Sequence, residues 1–206
     1  MWNQETVQDF WEHNRSDFAG DQKAKVVVGL TKRYIRPPVL DIGAGSGALL
    51  WLLPCEAIGI DIAPRSRGII QAGIDKLPFS DGALNTVYCT DVLEHLPPDV
   101  LCRGVKEVHR VLLPGGHFIA TVPNQEHLPA SMVRCPHCHS EFHRWGHQRS
   151  FSEQDIRDLL CDFREVRVSF MPLGMMAEHW IIRHFWRLFL WVEFCEPSDL
   201  LIVARK

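Results

Sequence analysis

The sequence lacks any strong charge bias. Its 206 residues carry 22 lysines and arginines against 25 aspartates and glutamates, for a formal net charge of −3. Binding nucleic acid in general needs a clear basic surplus to neutralise phosphates, so that class of partner is not expected. A leader-like apolar run is also missing, because Met1 to Phe18 is polar with aromatics at helical spacing. Internal repeats and low-complexity tracts are absent too. The expected setting is therefore the cytoplasm, where the seven cysteines are reduced thiols and a close pair points to metal before disulfide. What remains is ordinary globular material: 46% apolar and 23% charged residues, enough for one domain over 1–206 with a small insert.

The most informative stretch is Val39-Leu40-Asp41-Ile42-Gly43-Ala44-Gly45-Ser46-Gly47. Its apolar residues read as a buried parallel strand. Gly43, Gly45 and Gly47 then allow a sharp turn and close approach of a ligand to the main chain. Ala48 to Leu53 opens a helix whose free N–H groups point back at that ligand.

Around this unit, helices are expected over 3–19, with Val7, Phe10, Trp11 and Phe18 as the apolar side, and over 22–34. Further strands are expected at 56–61, 68–72, 84–90 and 117–122, with a helix near 98–112 and a turn at Pro114-Gly115-Gly116. Strands alternating with helices imply crossover units and a parallel sheet. The C-terminal part differs. A helix over 151–161, capped by Ser152 with Asp155 in its first turn, precedes strands at 164–170 and 200–204. No full crossover helix need fit the sheet between those two, so an antiparallel edge pair is expected.

The spacing of the turn is G-x-G-x-G, not the G-x-G-x-x-G of dinucleotide sites, and Asp41 stands two residues before the first glycine. A carboxylate there repels a pyrophosphate but favours a ligand carrying ammonium and sulfonium charges. Asp61, twenty residues on at the end of the next strand, can accept hydrogen bonds from both ribose hydroxyls. Adenosine joined to a cationic amino acid meets both conditions, and S-adenosylmethionine (SAM) is such a molecule.

Taken together, Asp41 to Gly47, Gly59-Ile60-Asp61, Leu77-Pro78-Phe79, Val92-Leu93-Glu94-His95-Leu96 and Pro114-Gly115-Gly116 resemble the class I SAM-dependent methyltransferases, in the subgroup acting on small molecules and lipids. The match covers roughly residues 35–125 in order and spacing. The resemblance implies an α/β, Rossmann-like, seven-stranded mixed sheet of order 3-2-1-4-5-7-6 with the last strand antiparallel and helices on both faces. It also implies that Asp41, Gly43, Ala44 and Gly45 line the methionine end, that Asp61 holds the ribose and that Ile62 packs on the adenine. The family's usual acid near the adenine amino group is replaced by Gly73, so Asp75, or backbone groups at Gly73 and Ile74, are expected to take over. Thr90 is expected to face the cofactor.

Asp91, Glu94 and His95 share one face of a helical turn and offer oxygen ligands. Magnesium is nevertheless not expected, since a Val-Leu-Glu-His segment orients loops under the cofactor in metal-free relatives. Residues 124–150 read as an insert in which Cys135, Cys138, His143 and His147 form a C-x2-C-x4-H-x3-H set for a structural zinc. Free surface thiols and a redox pair are the competing readings of the cysteines. His147 also sits where relatives place a histidine at the entry to the next helix, and there it is a candidate general base, with His95 as a second candidate. One residue cannot do both.

The segment 180–194 carries six aromatic residues, and His179 just before it forms a polar stripe with Arg183 and Arg187. It is too short and too charged to span a bilayer, so a cap helix, a lid over an apolar substrate or a peripheral membrane contact is expected. The functional expectation is methyl transfer from SAM to an oxygen, nitrogen or carbon of a small, apolar or lipid-like molecule. The alternatives are a protein or RNA methyltransferase docking through the insert, and a non-catalytic SAM-binding partner subunit.

Overall fold

The structure is a computed structural model that describes residues 4–13, 20–171 and 199–206. The aromatic segment 180–194, and Phe18 of the expected first helix, lie outside the described residues. The first helix, α1, covers Gln4–His13, and α2 covers Gly20–Thr31 before a short 3-10 turn at Lys32–Tyr34. Then follow β1 (Val39–Ile42), α3 (Ala48–Leu52), β2 (Ala57–Asp61), a two-residue β3 (Ile70–Gln71) and β4 (Leu84–Thr90). A 3-10 turn at Leu93–His95 leads into α4 (Pro98–Val111) and β5 (Leu112–Pro123). A small hairpin, β6 (Met132–Arg134) and β7 (Glu141–His143), precedes α5 (Glu153–Leu159), β8 (Glu165–Met171) and β9 (Asp199–Arg205).

The main sheet runs β3-β2-β1-β4-β5-β9-β8. Pairing is parallel from β3 to β5, while β9 is antiparallel to both β5 and β8. This is the expected order, 3-2-1-4-5-7-6, with the last strand antiparallel and the β9–β8 pair at the expected edge. The chain is thus Rossmann-like α/β.

The sheet separates two apolar layers by the two-residue alternation of its strands. In β4, Val87 and Cys89 face one layer and Tyr88 the other; in β5, Phe118, Ala120 and Val122 oppose Ile119. Helix α4 closes the first layer with Val100, Leu101, Val105, Val108 and Val111, a stripe at helical period. Pro98 at its first position suits a helix start, because the missing N–H would have had no partner there. Helices α2 and α3 cover the other face through Ala24, Val27 and Leu49, with Leu53 just past α3.

The expected turn at 114–116 needs correction, because β5 begins at Leu112 and runs through it. Gly115 takes φ +81° where the pairing with β4 shifts register, so the glycines form an irregularity inside one strand, not a break before it. Within 124–150 the chain forms the β6–β7 hairpin, and Cys135 and Cys138 occupy its tip. Among the described residues no helix is long and apolar enough to cross a membrane.

Candidate functional site

A cavity of about 580 Å³ opens at the carboxyl ends of β1, β2 and β4, where the strand order reverses between β1 and β4. Open α/β sheets bind ligands at such switch points. Asp41, Gly43, Ala44, Gly45, Asp61, Ile62, Ile74 and Thr90 all line it. Gly73 and Asp75 do not. Asp75 instead pairs with Arg103 at 3.1 Å, which holds its carboxylate against α4.

The turn after β1 is tied to the end of β2. The Gly43 and Ala44 N–H groups donate to the Ile60 carbonyl at 2.9 and 3.0 Å, and Gly45 N–H donates to Asp61 Oδ2 at 2.8 Å. Three successive amides are therefore taken by the protein itself, where the sequence suggested donors turned to a ligand. A pyrophosphate has little left to bind there. Gly43 is required as glycine: it sits at φ +76°, and a Cβ would stand 2.3 Å from Val92 Cγ2.

Asp61 also accepts Ala63 N–H on Oδ1 at 2.8 Å. Each oxygen thus uses one lone pair internally and keeps another for a hydroxyl. Asp41 is only 2% exposed, and its Oδ1 has no hydrogen-bond partner. Burial, with the Asp61 charge adding to it, pushes its pKa up to about 8. A cation placed in the cavity reverses that penalty. The residues present therefore fit the expected cofactor: a buried acid with an unpartnered oxygen for a sulfonium and ammonium group, and a half-satisfied acid for a diol.

Thr90 is followed by a residue in strained backbone. Asp91 has φ +54°, which aspartate tolerates better than most side chains. Its Oδ1 accepts Lys23 Nζ at 2.5 Å and Thr121 Oγ1 at 2.9 Å. Lys23 reaches Asp199 Oδ2 at 2.9 Å as well. Burial alone would lower the Lys23 pKa, but Asp91 and Asp199 outweigh it and raise it. This lysine between two carboxylates joins α2, β4 and β9 at the cavity wall. The sequence gives no local sign of it, since Lys23 and Asp91 are 68 residues apart.

Beyond Asp91, the Leu93–His95 turn is clamped by the segment preceding α5. Gln148 N–H donates to the Glu94 carbonyl at 2.8 Å, and Arg149 Nη2 donates to the Leu96 carbonyl at 2.7 Å. Glu94 and His95 are buried, and both line the cavity with His147. Burial and the Asp91 charge raise the Glu94 pKa well above the carboxylate range, while burial and His147 lower that of His95 to about 3. His147 Nδ1 is held by a short contact to Glu126 Oε2, a partner with no signal in the sequence. From α1, Val7 and Trp11 complete the wall, and the Trp11 ring meets His95 edge-on at 4.9 Å.

The four residues expected to share a zinc are divided. His143 and His147 stack at 4.7 Å and gather around Glu126. Cys138 turns to Ser140, with Sγ 3.0 Å from Oγ, and burial cannot explain its pKa near 7; hydrogen bonds from Ser140 and then Cys135 lower it. Among the described residues, neither cysteine belongs to a group of three metal-capable side chains within 4.8 Å of one another.

Fold and site together define a Rossmann-like domain with a cradle for a cationic adenosine ligand. The family model described as a methyltransferase domain matches residues 4–163, so the chain belongs to that family. Among curated proteins, an uncharacterized methyltransferase of Synechocystis is 32% identical over 93 residues, covering 39% of this chain and 44% of that protein. A sterol 4-C-methyltransferase of Caenorhabditis elegans is 30% identical over 99 residues, covering 39% of this chain and 29% of its own length. The match with each of these curated relatives thus spans less than half of the relative's length. In fold, the chain resembles a SAM-dependent methyltransferase from Archaeoglobus fulgidus, with TM-score 0.66 and 19% identity over 96% of this chain and 98% of that one. It also resembles a Burkholderia thailandensis 1,6-didemethyltoxoflavin-N1-methyltransferase, with TM-score 0.60 and 17% identity over 98% and 83% of the two chains.

Proposed function

We propose that this chain binds SAM in the cavity at the ends of β1, β2 and β4 and directs its methyl group to a small acceptor with an apolar body. The observation that carries this reading is the acid pair: Asp41 buried with an unpartnered oxygen, and Asp61 with spare acceptor capacity 2.8 Å from Gly45 N. When bound, SAM supplies an activated methyl on sulfur that an in-line nucleophile accepts. The chain's own residues then bind, orient and exclude water.

Asp41 and the turn hold the amino-acid end, and Asp61 holds the ribose. Ile62 and Ile74 offer apolar surface for the base. Lys23, fixed by Asp91 and Asp199, lines the wall of the same cavity. Val7, Trp11, Leu96 and Trp145 make the rest of the wall largely apolar, which suits an acceptor that is itself apolar. Holding the reacting atoms in line contributes much of the acceleration in such transfers, so no obligatory proton-transfer side chain is required. The sterol methyltransferase and the toxoflavin-precursor methyltransferase among the similar proteins are named for small-molecule acceptors, which supports the same class here.

The test is transfer itself. Purified protein is incubated with isotopically labelled SAM and a fractionated cell extract, and label is followed into small organic molecules, RNA and protein. The reading expects label in the organic-soluble small-molecule fraction. Label confined to RNA or protein overturns the acceptor class, and no label in any fraction, with SAM bound, favours a non-catalytic partner subunit.

A further inference from the structure

Glu94, His95 and His147 each place one metal-capable atom within 4.8 Å of the others, and all three line the cavity. Glu94 is 1% exposed, and its two oxygens meet no partner beyond the residue's own backbone N–H. His95 is 6% exposed with an unpartnered Nδ1; its contact with the Gly146 backbone therefore falls to Nε2. A neutral imidazole that donates from Nε2 carries its lone pair on Nδ1. His147 is arranged the other way round: Nδ1 is held by the Glu126 carboxylate, which leaves Nε2 as the free nitrogen.

We propose that Glu94, His95 Nδ1 and His147 Nε2 form a two-histidine, one-carboxylate site for a divalent transition cation of the zinc class, with its remaining position open to the cavity. The two Glu94 oxygens and His95 Nδ1, buried without partners, are costly to leave so for packing alone, and His147 joins them at the cavity from a separate segment. Tetrahedral bonds of about 2.1 Å place ligand atoms about 3.4 Å apart, so modest side-chain rotations close the group on an ion. Glu126 supplies the carboxylate that a metal-bound histidine commonly needs on its other nitrogen, and the Gly146 backbone serves His95 in the same way.

The neighbouring group, Glu126 with His143 and His147, is not the ion site. His143 Nδ1 accepts N–H bonds from Trp145 and His147 at 3.3 and 3.1 Å, so its proton must reside on Nε2, which lies 3.4 Å from Glu126 Oε1. Binding a metal there would force that proton onto Nδ1 and against two backbone donors. His143 is instead a positioning residue that steadies Glu126. The two nitrogen ligands favour a zinc-class ion over magnesium, which prefers oxygen. The open position takes an acceptor bearing a ligating oxygen or sulfur. Only this last consequence rests on the methyl-transfer reading.

The protein is stripped with chelator and titrated with Co²⁺ and Zn²⁺, following absorption spectra and bound metal per chain, with S-adenosylhomocysteine binding measured in parallel. One Co²⁺ per chain is expected, with a spectrum lacking thiolate charge-transfer bands. Glu126→Gln should weaken binding by roughly 10- to 100-fold, the usual effect of losing such an outer partner. Glu94→Gln, His95→Gln and His147→Ala should each weaken it further, while Cys135→Ser/Cys138→Ser should leave it unchanged. Retained S-adenosylhomocysteine binding shows that each variant is folded. Failure of the parent protein to take up Co²⁺ overturns the site, as does loss of metal in the cysteine variant with thiolate bands in the parent. Metal uptake without any S-adenosylhomocysteine binding leaves the site standing and removes the methyl-donor reading.

Discussion

Asp41 carries the largest electrostatic strain at the cofactor end of the cavity, and its consequence is measurable without any substrate. Its pKa in the folded chain is about 8, against about 3.9 in an unfolded one. The folded state therefore binds the proton more tightly. The ligand-free protein has this contribution in full below about pH 4 and loses it as pH rises towards 8, at no more than about 1.4 kcal/mol per pH unit. Asp41→Asn should flatten the fall, which urea unfolding at pH 5 and pH 8 will show. The same fall in the variant as in the parent would place the titration elsewhere. Binding should move the opposite way, because the variant loses a charge-assisted contact worth about 1.5–3 kcal/mol, or roughly ten- to a hundredfold in affinity for SAM. At Gly43 the issue is space and not charge. Gly43→Ala combines φ +76° with a Cβ 2.3 Å from Val92 Cγ2, so a stability loss of about 1–3 kcal/mol is expected in thermal unfolding.

Elements whose cause is local are the ones legible in the sequence. Helix α5 starts where Ser152 and Asp155 say it should: Asp155 N–H donates to Ser152 Oγ at 3.2 Å, and Ser152 N–H donates to Asp155 Oδ2 at 2.7 Å. Ser152→Ala should lower the unfolding free energy by about 1 kcal/mol, read from the denaturant midpoint at unchanged slope. A variant as stable as the parent would mean that packing alone starts this helix. The turn after β1 was legible for the same reason, being written in adjacent residues. The glycines at 115–116 were not. Their register shift depends on β4 across the sheet, and no local pattern separates an irregular strand from a turn. The hairpin set was misgrouped similarly. Spacing shows that Cys135, Cys138, His143 and His147 can reach one ion, but it is silent on Glu94 and Glu126, which compete for the histidines.

At the scale of the whole molecule, the cavity wall is assembled from α1, α2, α3, five strand ends and the segment before α5, so a bound ligand ties distant parts of the chain together. Lys23 does this already by joining Asp91 and Asp199. Lys23→Met leaves the buried Asp199 and the partly exposed Asp91 without their shared counter-charge. A destabilisation of about 1–3 kcal/mol is expected in thermal unfolding, mostly from Asp199 and partly recovered by Lys23→Met/Asp199→Asn. No sequence pattern announces this bridge, because its members come from three separate elements. The sheet order, by contrast, was legible through family resemblance and alternation together.

What the cradle at the end of β1 holds decides the function, and calorimetric titration tests that directly. S-adenosylmethionine and S-adenosylhomocysteine should bind one per chain to the parent protein, and should stabilise it by about 2.7 kcal/mol at a hundredfold excess over Kd. Asp61→Ala should abolish or severely weaken both, and nicotinamide dinucleotides should not bind. Absence of heat with either adenosyl ligand, or tight binding of a dinucleotide in their place, would contradict the account.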